Sequence, residues 1–193
     1  MISASTLNSE LINKIAQDFA QATSLAVVVV NIHGDEISEL FNFTPFCQLM
    51  RQHPQHSTRC RMSDRCGGLE ASKTDQLCIY RCHAGLTDFS IPLVIAGHLV
   101  GFVLCGQVRL SNDVELVDIL NVDDRWQTDP DLVKAFRDVP EMDYSRVIAS
   151  ADLLKLIVEN CLKKQLNFVV LKTIRSSLNP LAPAGPSAPM TVK

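Results

Sequence analysis

Near the start of the chain, apolar residues recur every three or four positions between residues 5 and 22. They are Leu7, Leu11, Ile12, Ile15 and Phe19. This spacing places them on one face of an amphipathic helix. A β-branched run at 25–30 follows, with a His33-Gly34-Asp35 turn and a short apolar segment near 36–40. Together these predict a hairpin whose first strand is buried on both faces.

The middle of the chain alternates between polar and apolar segments. Residues 44–80 are rich in Cys, Arg, His and Gln and lack a period-two pattern, so we expect short helices and loops there. Residues 91–95 and 98–108 flank an Ala-Gly turn and predict a second hairpin of core strands. Asn112 with Glu115 three positions later resembles a capping box and predicts a helix as far as residue 120. A further short helix is expected after Pro130.

The longest helical pattern covers residues 145–170. Its positions alternate by fours and threes, as in a heptad seam: Val147, Ala151, Leu154, Val158, Cys161, Gln165 and Phe168. A second stripe widens the apolar face: Ile148, Leu153, Ile157 and Leu162. Two interpretations stay open, a helix packed on its own domain and a helix that forms a homodimer. After it, residues 171–193 are rich in Pro and Ala and predict a disordered tail, so the folded domain is expected at 1–170.

The order of these elements predicts an α+β fold. We expect a PAS-like antiparallel sheet, formed by the two hairpins, with a helical Cys-rich insert between them and a long C-terminal helix. Small sensory domains are often built in this way, although a fold alone does not give a function.

Composition narrows the class of protein. The chain has 193 residues, 47% of them hydrophobic, enough for one domain with a full core. With 18 basic and 21 acidic residues the net charge is -3, which argues against direct binding to nucleic acid. The start lacks a signal-peptide pattern and the apolar runs are too short to cross a bilayer, so we expect a cytoplasmic protein that does not contact a membrane. In that compartment the seven cysteines are expected to be thiols or metal ligands.

Six soft ligands lie between positions 47 and 83: Cys47, Cys60, Cys66, Cys78, Cys82 and His83. Four such groups could hold Zn²⁺, but their spacing does not match a C-x2-C knuckle, and thiols lining a core or pocket are the other interpretation. Cysteine with His83 and Asp88 also supplies the residue types of a thiol hydrolase, yet neighbours in sequence seldom form a working dyad. Phosphate-loop, H-E-x-x-H and Ser-elbow motifs are absent from the sequence, so we expect no enzyme.

Several polar residues adjoin or interrupt apolar segments: Asp64, Arg81, His83, Asp88 and Gln107. Each could cap a helix or satisfy buried backbone. Together they favour a pocket for a small polar molecule, because apolar walls supply burial and a few polar groups supply orientation. Candidate aromatic walls are Phe43, Phe46, Tyr80, Phe89 and Phe102.

These residues resemble the PocR sensory domain family, a variant of the PAS fold. The resemblance runs from the first helix to about residue 170. It rests on Phe46-Cys47, Cys60 with Asp64, the run Tyr80-Arg81-Cys82-His83-Ala84-Gly85-Leu86, then Asp88, Pro92, Gly101 and Gly106-Gln107. It implies ligand-binding roles for Cys47, Cys60, Asp64, Cys82, His83, Asp88 and Gln107. Cys66 and Cys78 lie outside the motif, which leaves Cys47, Cys60, Cys82 and His83 as the better candidate zinc set.

The resemblance implies that the domain senses a small diol such as 1,2-propanediol. In such a regulator the signal passes to an AraC-type helix-turn-helix domain that controls propanediol utilisation and cobalamin biosynthesis. That DNA-binding domain does not follow in this chain, so we expect no DNA binding by the chain itself. The alternative is a metal or redox sensor in which the cysteines are the receptor.

Overall fold

The computed structural model describes residues 9–74, 76–95 and 97–177, and for 162–177 it describes the backbone only. The helices are α1 (Ser9–Thr23), α2 (Pro45–Gln52), α3 (Ser57–Thr74), α4 (Pro130–Arg137) and α5 (Tyr144–Ser177). The strands are β1 (Ala26–Asn31), β2 (Cys78–Arg81), β3 (Thr87–Ile95), β4 (His98–Leu110), β5 (Val117–Asp118) and β6 (Glu141–Met142). None of the helices in these ranges combines the length and apolar character that crossing a membrane requires.

The strands form one sheet of six, in the order β1-β4-β3-β2-β5, with β6 paired to β4. The α+β prediction is confirmed. The four longer strands pair antiparallel, as predicted. The sheet as a whole is mixed, because the two further strands β5 and β6 pair in parallel with β2 and β4. Both are two-residue strands, too short to leave a pattern in the sequence.

The two faces of the sheet carry different layers. Alternate residues of β1 point to opposite faces, so Val27 and Val29 join a core with α1 and α5. Val28 and Val30 point the other way and pack with Phe43 beside the insert formed by α2 and α3. All of β1 except its last residue is buried. The expected burial of this strand on both faces is therefore confirmed.

Helix α3 is longer than the short helices expected in the insert, and the reason lies in its small residues. Its buried positions are Ser63, Asp64, Gly67, Gly68 and Ala71. They follow helical spacing but include no large apolar side chain, so the usual periodic signal is missing. A Cβ atom at Gly68 would lie 2.2 Å from the Phe102 ring. The absent side chains thus bring α3 into direct contact with the sheet.

The helix predicted over 112–120 is wrong. Instead, Val117 and Asp118 form β5 on the free edge of β2. The side-chain oxygen of Asn112 does act on a helix terminus, but on that of α5, where it accepts a hydrogen bond from the Tyr144 N–H at 3.0 Å. Tertiary pairing has overridden a local capping signal.

The predicted partner strand at 36–40 is reduced to two isolated bridges, Val27 with Phe41 and Val30 with Glu36. Regular pairing is interrupted because the Ser38 hydroxyl, rather than a carbonyl, accepts the Val29 N–H at 2.8 Å. The other predicted elements are confirmed: the first helix from Ser9 onward, the 91–108 hairpin and the helix at Pro130. Residues 5–8 and 96 lie outside the described residues.

The first part of the α5 seam packs on its own domain. Val147, Ala151, Leu154 and Val158 are all buried in the core beneath the sheet. On the second stripe Ile148 and Leu153 are exposed, as is Leu156 nearby. The helix continues past residue 170 to Ser177, so the expected boundary of the tail falls inside it. The side chains of Gln165 and Phe168, and the tail from 178, lie outside the described residues.

Candidate functional site

A cavity of about 40 Å³ lies between the sheet and the insert of α2 and α3. A single water needs roughly 10–15 Å³, so the cavity has room for a molecule of only a few heavy atoms. All seven residues that the resemblance singled out line it: Cys47, Cys60, Asp64, Cys82, His83, Asp88 and Gln107. They come from α2, α3, the β2–β3 connection, β3 and β4. Residues 60 positions apart in sequence therefore meet at one site.

Two helices supply one wall. Cys47 and Arg51 are four residues apart on α2, and Cys60 and Asp64 are four apart on α3, so each pair shares a face. Helix α2 is anchored at its start by Thr44, whose hydroxyl accepts the Cys47 N–H at 3.2 Å.

The Cys82–Leu86 connection turns the chain from β2 into β3. It is closed by hydrogen bonds from the Cys82 N–H to the Leu86 carbonyl at 2.8 Å and from the Gly85 N–H to the Cys82 carbonyl at 2.9 Å. Gly85 has a φ of 87°, a conformation that other residues rarely adopt. This turn places Cys82 and His83 at the end of the cavity.

The opposite wall is a distorted point of the sheet. The register shifts between Thr87 and Asp88, opposite Gly106 and Gln107, which have φ values of 146° and 65°. The Asp88 Oδ1 atom accepts the Gln107 N–H at 2.7 Å. Positive φ at a non-glycine residue is strained and persists only where neighbours hold it. Here the Gln107 side chain is also held, because its Oε1 accepts the Thr44 N–H at 2.9 Å.

Arg51 belongs to the site, although the sequence analysis did not select it. Its guanidinium donates to Asp64 at 2.6 Å and to Glu36 at 2.9 Å, and it lies 5.0 Å from the centroid of the Phe43 ring. Burial raises the pKa of Asp64, and Arg51 partly counteracts that rise. The i, i+4 spacing from Cys47 was the available signal. A charged residue in a polar segment is usually solvated, so that signal was weak.

The thiols of the cavity are neutral. Burial raises the pKa of Cys60 to about 12, and it raises the pKa values of Cys47 and Cys82 far above the usual range. Cys60 Sγ lies 3.3 Å from His83 Nε2, so the contact to His83 is made by Cys60 and not by its sequence neighbour Cys82. Burial lowers the pKa of His83 to about 4. This is the reverse of the thiolate–imidazolium pair that a cysteine nucleophile needs.

The candidate zinc set is not assembled in this arrangement. Within the described residues, no three His, Cys, Asp or Glu side chains are grouped around one position that could hold a metal ion. The thiols have other partners, since Cys60 contacts His83 and Cys82 hydrogen-bonds to Asp88. Zinc binding by Cys47, Cys60, Cys82 and His83 stays a prediction.

Asp88 is the most perturbed acid of the cavity. Burial raises its pKa to about 7, although the Gln107 N–H stabilises the charged form. Near neutral pH it can therefore either donate or accept a hydrogen bond. Of the predicted aromatic walls, Phe43 and Phe46 line the cavity, whereas Tyr80, Phe89 and Phe102 lie in the surrounding core. Arg81 is outside the cavity and pairs with Asp118 at 3.3 Å.

A small, partly open cavity with a few convergent polar groups is typical of a binding site for a small molecule. The sequence matches the family described as the sensory domain found in PocR over residues 5–166, and the chain belongs to that family. It is 93% identical over 172 residues to the Regulatory protein PocR of Salmonella typhimurium strain LT2. That match covers 89% of this chain and 57% of the relative, so the chain spans somewhat more than half of the relative's length. The chain is thus a sensory domain of the family found in PocR.

Proposed function

We propose that the cavity binds a small diol of the 1,2-propanediol type. The observation that carries this proposal is the convergence of Cys47, Cys60, Asp64, Cys82, His83, Asp88 and Gln107, from five segments of the chain, on one cavity of about 40 Å³. A molecule of five heavy atoms, at no more than about 1.5 kcal/mol each, reaches roughly micromolar affinity at best. Such an affinity suits a sensor of a metabolite that accumulates.

The lining matches the two ends of such a ligand. Hydroxyl groups both donate and accept hydrogen bonds, and the carboxyl groups of Asp88 and Asp64 can serve them. Apolar side chains complete the walls, among them Ala26, Val28 and Leu104. These would face the methyl group and exclude water from it.

In this proposal the domain regulates transcription of propanediol-utilisation and cobalamin-synthesis genes from the cytoplasm, through a DNA-binding domain in the whole regulator. The path along the chain from the cavity to α5 is short. Strand β4 continues from Gln107 to Arg109 and Leu110, which pair with β6. Strand β6 leads directly into α5. We infer that α5 also forms a homodimer, supported by Leu153 and Leu156, which are 50% and 59% exposed.

The test is a calorimetric titration of the purified chain with 1,2-propanediol, with glycerol and ethanol as comparison ligands. Saturable binding of propanediol alone is expected, and His83→Gln, Asp88→Asn and Gln107→Ala should each weaken it. No heat from any of the three ligands, in protein shown to be folded, contradicts the proposal. Light scattering with and without propanediol tests whether the signal passes from the cavity to α5. An oligomeric state and an α5 arrangement that the ligand leaves unchanged would refute that path.

A receptor made of cysteines, and catalysis by them, are less well supported because the raised pKa values of the cavity thiols keep them protonated, which makes them weak nucleophiles and ligands. We accordingly propose a binding protein and not an enzyme. The expected result is slow reaction of Cys47, Cys60 and Cys82 with a thiol reagent until denaturant is added, together with zinc far below one equivalent. Rapid labelling of the folded protein, or unfolding on chelation, would favour the metal or redox function instead.

A further inference from the structure

Asp88 is a partly buried residue of β3 whose carboxyl group has no cation of its own. Among the described residues its direct hydrogen bonds come from the Gln107 N–H and the Cys82 thiol, both uncharged. The nearest cation is Arg51, but its guanidinium already forms ion pairs with Asp64 and Glu36. The cavity thus contains two carboxyl groups and one guanidinium, and this guanidinium also pairs with Glu36, which does not line the cavity.

We propose that Asp88 makes this cavity selective for ligand charge, so that it binds a short amino alcohol through its ammonium group in addition to a neutral diol, and rejects a hydroxy acid. The inference rests on the proposed function for the location of the site, and it extends the range of ligands.

The physical reason is the cost of placing a charge where water is excluded. A desolvated ammonium is stable only beside an anionic partner, and Asp64 and Asp88 supply the carboxyl groups of this cavity, of which Asp88 has no cation paired to it. A charge-assisted hydrogen bond of this kind is about twice as strong as a neutral one. A carboxylate ligand would instead meet Asp88 and Asp64 with no unpaired cation in the described lining to balance it.

The choice of probes follows from size. 1-Aminopropan-2-ol has the same number of heavy atoms as propane-1,2-diol and differs only in an ammonium in place of one hydroxyl. It is protonated at about pH 8, where aliphatic amines carry a positive charge. Lactate keeps the methyl and hydroxyl groups and adds a negative charge. Calorimetric titration of the full chain with all three compounds separates charge from shape.

We expect 1-aminopropan-2-ol to bind at least as tightly as propane-1,2-diol, and lactate to bind about a hundredfold more weakly or not at all. In Asp88→Asn the ratio of amine affinity to diol affinity should fall at least about tenfold. Asp88→Ser is the second variant, since it removes the carboxyl group and keeps an acceptor for the Gln107 N–H. Asp118→Asn, a partly exposed site outside the cavity, is the matched control and should leave the ratio unchanged.

The outcomes separate this inference from the proposed function. Binding of the diol without the amine overturns the inference alone, as does lactate binding as tightly as the diol. If Asp88→Asn and Asp88→Ser both fold and both keep the wild-type ratio of amine affinity to diol affinity, the inference is also overturned. Binding of the amine without the diol supports selectivity for a positive charge but refutes diol sensing, whereas failure of both ligands refutes the two proposals together.

Discussion

Gly68→Ala is expected to destabilise the domain, although the same change inside most helices is stabilising. Helix propensity alone favours alanine by about 1 kcal/mol. The new Cβ, however, would lie 2.2, 2.3 and 2.5 Å from three atoms of the Phe102 ring, and Phe102 is completely buried. Carbon atoms in contact prefer about 3.5–4.0 Å, so α3 must move away from the sheet. Overpacking of this severity costs about 3 kcal/mol, leaving a net loss of about 2 kcal/mol.

The assay is thermal and urea denaturation of the wild type and the variant. A net loss of about 2 kcal/mol lowers the melting temperature of a chain of this size by about 4–8 °C. Because α3 carries Cys60 and Asp64, the variant should also bind propanediol more weakly. Asp152→Ala, at an exposed position inside α5, is the control and should raise the melting temperature slightly. If Gly68→Ala is as stable as the wild type or more stable, the close packing of α3 on the sheet is wrong.

Three further predictions concern the polar groups of the cavity. Arg51→Met leaves Asp64 buried without its ion partner and should lower the free energy of unfolding, measured by urea denaturation, by about 3–5 kcal/mol. The double variant Arg51→Met/Asp64→Leu should recover most of that loss. Thr44→Ala removes the α2 cap and a hydrogen bond to Gln107, and it should lower the free energy of unfolding by roughly 2 kcal/mol. Thr44→Ser keeps the hydroxyl and should be about as stable as the wild type. The pKa of Asp88 is about 7 in the folded state, against about 3.9 in the unfolded chain. Between these values the folded state binds more protons, so the wild type loses stability as the pH rises from about 4 to 7. Asp88→Asn should therefore gain stability relative to the wild type from about pH 4 to 7 and no more above it, as measured by denaturation at several pH values.

The elements that sequence periodicity predicted well are those whose burial is apolar and regular. Strand β1 and the β3–β4 hairpin bury large aliphatic side chains, and α1 buries one apolar stripe. Periodicity did not predict the full length of α3 because its sheet-facing residues are small or polar. It did not predict β5 because a strand of two residues shows no period. Both are positioned by long-range contacts that local patterns do not contain.

The site residues divide in the same way. The resemblance identified seven side chains that line one cavity, but it did not show that Cys60, and not Cys82, contacts His83. Nor did it include Arg51, whose role depends on an ion pair with a residue of another helix. Chemistry-bearing residue types can be read from the sequence. Which of them touch is decided by the register of β3 against β4 and by the packing of α3.

Helix α3 contacts its surroundings differently at its two glycines and one turn before them. At Gly67 and Gly68 the helix lies directly on Tyr80 and Phe102, closer than any side chain would permit. One turn earlier, Ser63 and Asp64 project from the same face, and Asp64 is held by Arg51 on α2 and not by the sheet. The helix therefore packs closely on Tyr80 and Phe102 at the glycines, while one turn earlier Ser63 and Asp64 line the cavity. We therefore expect the close approach at the glycine pair to limit the size of the ligand in the proposed site, and Asp64 and Asp88 to select its chemistry.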